Sequence, residues 1–198
     1  MRKRRLLWPG LAVLALAVVL PLSTAASGAQ FVRWDIISFT GLPPFHTLPV
    51  GIASATAPDG DTITITGTGT FVAPNGRNGG SGAVTGGGTW VTTTGSGTYE
   101  VKELVSWEFA NLFGPNPFVD LIGDPNARAN GTAVLRVEFT DAATGVVESG
   151  VLTIGCHGPG APPGIFEGIA TTKGYKTYYT VLAPVGGVDA NRTIFHLQ

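Results

Sequence analysis

The chain carries one cysteine, Cys156, so no disulfide can form within it and no zinc cluster of several thiolates can be assembled. A folded domain without such staples must rest on its hydrophobic core. Charge is scarce as well, at 13% of residues. The cations beyond the N-terminus, Arg33, Arg77, Lys102, Arg128, Arg136, Lys173, Lys176 and Arg192, are scattered. Neutralising a run of phosphates needs clustered cations, so no nucleic-acid partner is expected. No stretch sustains a 3.6-residue apolar period, which argues against helices of any length. The three histidines, His46, His157 and His196, lie far apart and show no ligand spacing, so no metal or cofactor is expected. There is no Gly-x-Ser-x-Gly elbow between a strand and a helix, because Gly80-Ser81-Gly82 and Gly95-Ser96-Gly97 read as turns.

Only one long apolar run is present, at the N-terminus. Met1 to Arg5 holds four cations, Leu6 to Leu22 is uncharged but interrupted by Pro9, Gly10 and Pro21, and Ser23 to Ala29 is composed of small residues. These are the three parts of a secretory signal peptide, which predicts residues 1–29 as a leader cleaved after Ala29, with Ala26 as the alternative site. An uncleaved anchor is the competing reading, weakened by the prolines and the short run. Arg4-Arg5 lacks the rest of a twin-arginine signal, which favours the general secretory route. The expected location is therefore outside the cytoplasm, with no membrane association once the leader is removed. Without the four leader cations, eight basic residues face thirteen acidic ones, a net charge of −5. That describes a mildly acidic surface.

What the chain has in plenty is glycine, 29 residues of it, set beside threonine and aromatics. Gly67-Thr68-Gly69-Thr70-Phe71, Gly86-Gly87-Gly88-Thr89-Trp90 and Gly95-Ser96-Gly97-Thr98-Tyr99 repeat one theme, in which glycine permits a bend and a ring is delivered to a core. Aromatic and β-branched residues run along the whole of residues 30–198, which predicts one folded all-β domain. Alternation places Phe31 to Phe39 as a strand with partly apolar faces on both sides, Phe31, Arg33, Asp35, Ile37 and Phe39 opposing Val32, Trp34, Ile36 and Ser38. Asp61 to Phe71 reads as a single strand, followed by an exposed loop, Ala73 to Gly82. Gly88 to Thr93 and Thr98 to Phe109 read as a hairpin turning at Gly95-Ser96.

On the second strand of that hairpin Tyr99, Val101, Val105, Trp107 and Phe109 are predicted to share a face, with Glu103 among them. Thr132 to Thr140 and Val146 to Cys156 form a second predicted hairpin, with Ala133, Leu135, Val137 and Phe139 inward. Short strands follow at Ile165 to Thr172, Lys176 to Leu182 and Thr193 to Leu197, with a turn of helix near Pro162 to Glu167. This gives roughly nine or ten strands. Glycines within strands favour a small antiparallel β-barrel, and a two-sheet β-sandwich is the alternative.

Residues able to carry chemistry are few. Gly155-Cys156-His157-Gly158-Pro159-Gly160 sets a thiol beside an imidazole, but strand neighbours point to opposite faces, and Cys156 shares its face with Leu152 and Ile154. A core thiol and a loop histidine free to meet a ligand are therefore expected. Glu103 on an aromatic face is the most informative carboxylate, and Arg33 is its expected partner if it is merely paired. Asn130-Gly131-Thr132 and Asn191-Arg192-Thr193 match the glycosylation sequon.

Trp34-Asp35-Ile36-Ile37-Ser38-Phe39, the glycine-aromatic repeats, Gly97-Thr98-Tyr99 with Leu104-Val105-Ser106-Trp107, and Cys156-His157-Gly158-Pro159-Gly160 with Phe166-Glu167-Gly168-Ile169 resemble a group of secreted bacterial proteins of unknown function. The resemblance covers most of the chain after the leader and implies no activity. In architecture alone the pattern is similar to small barrels such as allene oxide cyclase, dirigent and lipocalin-like proteins, and it transfers no catalytic residue. The resulting expectation is a barrel binding a small apolar ligand, with Trp34, Trp107, Phe109 and Tyr99 lining it, Glu103 as polar anchor and His157, on its glycine and proline loop, placed to contact the ligand. The alternatives are a small exported cyclase, isomerase or hydrolase using Glu103, His157 or Glu167, and a non-catalytic envelope or interaction protein.

Overall fold

The computed structural model describes residues 29–40, 44–74, 80–115, 118–184 and 191–198. The leader through residue 28, and Arg77 in the predicted loop, lie outside the described residues. The strands are β1 (Gln30–Thr40), β2 (His46–Pro49), β3 (Ala53–Thr56), β4 (Thr62–Ile65), β5 (Thr68–Ala73), β6 (Val84–Val91) and β7 (Ser96–Leu112). They continue as β8 (Val119–Asp120), β9 (Arg128–Asp141), β10 (Val147–Cys156), β11 (Gly168–Lys173), β12 (Lys176–Tyr178), β13 (Thr180–Val181) and β14 (Arg192–Leu197).

Six of them close on themselves. β1 pairs with β5, β5 with β6, β6 with β7, β7 with β9, β9 with β14, and β14 returns to β1, every pair antiparallel. The protein is thus a closed six-stranded barrel, and the other strands extend its wall outward. β10, β11 and β12 continue from β9, while β4, β3 and β13 continue from β6. β2 hydrogen-bonds to the end of β1 and carries β8 beside it in parallel.

The strand total among the described residues, fourteen, exceeds the sequence expectation. The single strand predicted over Asp61 to Phe71 is two, because the chain changes partner at Gly67: β4 pairs with β3 and β6, β5 with β1 and β6. Gly86, at φ +117°, lies where β6 crosses β5, and its φ is one that L side chains rarely adopt. A Cβ at Gly69 would lie 2.8 Å from both Gly86 Cα and Trp34 Nε1, so this crossing is open only to glycine. Around Pro162 to Glu167 the chain forms turns rather than the predicted helical turn.

The barrel interior is filled by rings. Trp34, Trp90, Trp107, Phe71, Phe139 and Phe195 are all fully buried, with Trp107 and Phe195 centroids 4.6 Å apart and Phe71 and Trp107 5.4 Å apart. Burying each such side chain contributes about 1.5–3 kcal/mol or more. The second hairpin matches its prediction, with Ala133, Leu135, Val137 and Phe139 inward and the Asp141 carboxylate accepting amides of Ala143 and Thr144 in the turn.

The outward face of β1 positions the site. Asp35 is buried there and accepts two N–H groups of Arg33 at 2.8 and 2.9 Å and the Thr68 hydroxyl at 2.7 Å. Farther along, Ile37 and Phe39 join Ile194 of β14 in a second apolar cluster outside the barrel, packed by Phe45, Phe113, Phe118 and Ile122. Apolar residues on both faces of β1 therefore reflect two cores.

Candidate functional site

Cavity space lies against this second cluster, outside the barrel wall. A concave pocket of about 420 Å³ has Ile37, Phe39, Ile194 and Phe118 as its apolar floor. Phe39 and Phe118 stack tilted with centroids 4.7 Å apart. The opposite wall is the loop His157 to Ala161, and Glu167, Arg192, Thr193 and Arg128 complete the rim. The volume falls in the range of small-molecule pockets, and the lining is mostly apolar with a few polar groups.

The loop is fixed by the barrel end. Gly158 N–H donates to the Asn130 carboxamide oxygen at 2.6 Å, and Asn130 Nδ2 donates to Asn111 at 2.9 Å. Gly114 N–H donates to Pro159 O at 2.8 Å, and Asn111 Nδ2 to Gly160 O at 2.7 Å. A Cβ at Gly158 would fall 2.5 and 2.7 Å from two carbons of the Phe113 ring, so the ring packs flush on that glycine. Both sequon asparagines serve as internal anchors: Asn130 is buried, and so is Asn191, whose Oδ1 accepts Ser54 N–H at 2.8 Å.

Glu167 sits just before β11 and ties three segments together. Its two carboxyl oxygens accept the backbone amides of His157 at 2.5 Å and Thr193 at 2.7 Å. Burial pushes its pKa up to about 7, against the opposing pull of those amides, Arg192 and His157. His157 Nδ1 lies 2.7 Å from Ile165 O. A carbonyl only accepts, so Nδ1 carries the proton and Nε2 is the basic nitrogen of the neutral ring. An acid that titrates near neutrality and an imidazole thus share one wall of the pocket.

The sequence candidates are placed as follows. His157 and Glu167 come together in the pocket. Trp34, Trp107 and Tyr99 are buried in the packed barrel, where Trp107 Nε1 donates to Gln30 at 3.2 Å and the Tyr99 hydroxyl to Thr66 O at 3.0 Å. Glu103 is on the outside, paired with Arg136 at 3.0 Å and not with Arg33. Its predicted face is displaced because β7 carries register shifts between Val101 and Glu103 and between Leu104 and Ser106. Each bulge turns the following residues over, so Leu104 takes the inward place and Val105 is exposed. Cys156 is buried as expected, and burial pushes its thiol pKa well up, which leaves it unreactive while His157 faces out. His196 is buried with Nε2 2.8 Å from Asp120 Oδ2.

Sequence reasoning missed Arg128, Arg192, Phe113 and Phe118. The available signal was the apolar outer face of β1 together with Phe113-Gly114-Pro115, an aromatic on a loop. No protein family, no curated protein and no solved structure matches the chain.

Proposed function

We propose that the protein is an exported binding module that holds a small, largely apolar molecule in the pocket on the outer face of β1 and β14. The 420 Å³ hollow floored by Ile37, Phe39, Phe118 and Ile194 carries this reading. The barrel interior, where rings were expected to line a ligand, is occupied by those rings. Glu167 takes the part of polar anchor expected of Glu103, and His157 lines the same pocket. Export rests on the leader sequence, Met1 to Ala29. A neutral fluorescent probe, N-phenyl-1-naphthylamine, is expected to brighten on binding. Ala161→Trp, which fills the pocket from its rim, is expected to abolish that signal with the near-ultraviolet circular dichroism of the core retained. Undiminished probe binding by that variant rules this pocket out.

A second reading has its own support. Glu167 near neutrality beside a basic His157 Nε2 is the equipment for proton transfer, as an exported isomerase, cyclase or hydrolase would require. A carboxyl titration of Glu167 close to 4.5 in carbon-13 NMR would remove that support.

A further inference from the structure

We propose that the molecule held in this pocket carries a carboxylate, and that Arg128 is the residue that receives it. The inference rests on the pocket reading above and specifies the ligand's chemical class.

Arg128 begins β9 and is 7% exposed, with its guanidinium 5.6 Å from the Phe113 ring centroid. Nε donates to Pro125 O at 2.8 Å. Nη1 is buried with no acceptor among the described residues. An unsatisfied N–H on a buried cation is costly and is ordinarily met by an acceptor. The nearest carboxylate does not meet it: Asp120 Oδ2 lies 3.8 Å from Nε and already receives His196 Nε2 at 2.8 Å. The charge of Arg128 is therefore shared with a carboxylate that has other partners.

The pocket's remaining charges point the same way. Arg192 lines it as well, its guanidinium 5.0 Å from the Phe39 ring centroid, and among the described residues it forms no ion pair. Among the described residues Glu167 is the one carboxylate on the rim, and both its oxygens are held by backbone amides. Two guanidinium groups thus border an apolar hollow with one carboxyl already occupied. The complementary ligand has an apolar or aromatic body against Phe39 and Phe118 and a single anionic head. A carboxylate suits Arg128, since planar guanidinium groups bind it in matched geometry.

The test compares two probes of equal shape on the purified protein at about pH 6, 4-phenylbutanoate and 4-phenylbutanamide, by isothermal titration calorimetry. The carboxylate is expected to bind about tenfold or more tightly than the amide, the range of a hydrogen bond to a charged partner. In Arg128→Gln the preference should fall to within about twofold. Because a buried arginine variant can fail to fold, nitrogen-15 spectra of the unaltered protein provide a second arm. The Arg128 Nε–H signal should move with the carboxylate and stay with the amide. Equal affinity for both probes overturns the anionic head and leaves the pocket reading standing. No binding of either probe or of N-phenyl-1-naphthylamine overturns both. A preference that persists in folded Arg128→Gln, or an Arg128 signal that ignores the carboxylate, overturns the assignment to Arg128.

Discussion

The Glu167 carboxyl accepts the amide of Thr193 at 2.7 Å, joining the turn before β11 to the start of β14 across 26 residues of chain. Its other oxygen accepts the amide of His157, so one side chain holds two walls of the pocket in register. Thr193 Oγ1 closes the arrangement by donating to Gly155 O at 2.6 Å. A carboxyl in this position acts as both structural clamp and pocket lining, so its protonation bears on the stability of the fold.

The first prediction concerns that dependence. In the unfolded chain Glu167 titrates near the ordinary 4.5, whereas in the fold its pKa is about 7. Between those values the native protein holds a proton that the unfolded chain has released, so stability falls as pH rises from 4.5 to 7. A displacement of this size corresponds to on the order of 3 kcal/mol. Glu167→Gln, neutral throughout, should flatten that slope. Urea unfolding across the interval measures it, and parallel wild-type and Gln profiles would contradict the raised pKa.

Glu103 supplies the second prediction. Its pair with Arg136 is exposed on both sides, at 44% and 47%, and an exposed ion pair contributes below about 1 kcal/mol. Glu103→Gln should shift the unfolding midpoint only slightly and leave N-phenyl-1-naphthylamine binding unchanged. Loss of binding in a folded Glu103→Gln protein would place the ligand somewhere other than the β1 and β14 face.

The third prediction contrasts two glycines. Gly158→Ala drives a methyl into the Phe113 ring, while Gly82→Ala meets nothing within 4 Å. The first should cost about 1–3 kcal/mol and weaken the pocket probe, because the loop moves with the ring. The second should leave both stability and binding near wild type. Thermal melts and probe titrations of the pair provide the comparison.

The barrel was legible where strands are long and alternate. Leu135, Val137 and Phe139 on β9 point inward as their spacing predicts, and the glycine-rich runs mark sharp crossings such as Gly69 over Gly86. Strands of two to four residues, such as β8 and β13, are too short for a period to register, which explains the undercount. Glu103 was misplaced for a different reason: period-2 reasoning assumes no bulge, and β7 has three irregularities that leave no mark in residue type. The pocket was only half legible. His157 stood out because it follows the single cysteine at the start of a glycine and proline loop, and β1 showed an apolar face too many. The meeting of Arg128, Glu167 and Arg192 is set by barrel closure through β14, a long-range pairing that no local pattern encodes.

The last prediction concerns Asp120 of β8, which lies between Phe118 and Ile122 of the outer cluster. Its buried carboxylate accepts Ile122 N–H at 2.9 Å and Gly123 N–H at 3.2 Å, and His196 Nε2 lies 2.8 Å away. Burial pushes its pKa up, but His196 and the two amides outweigh that and hold it at about 2. Because the folded value lies below the ordinary 3.8, its stabilisation is complete above about pH 4 and is lost as pH falls toward 2. Asp120→Asn removes the charge nearest Arg128 and leaves a buried guanidinium without a counter-ion. Removing one partner of a buried pair costs about 3–5 kcal/mol. Acid titrations monitored by tryptophan fluorescence should therefore show wild type losing stability between pH 4 and 2, and Asp120→Asn already weakened at neutral pH. An Asn variant as stable as wild type at pH 7 would mean that the Asp120 charge does not stabilise the fold there and that Arg128 is balanced by another group.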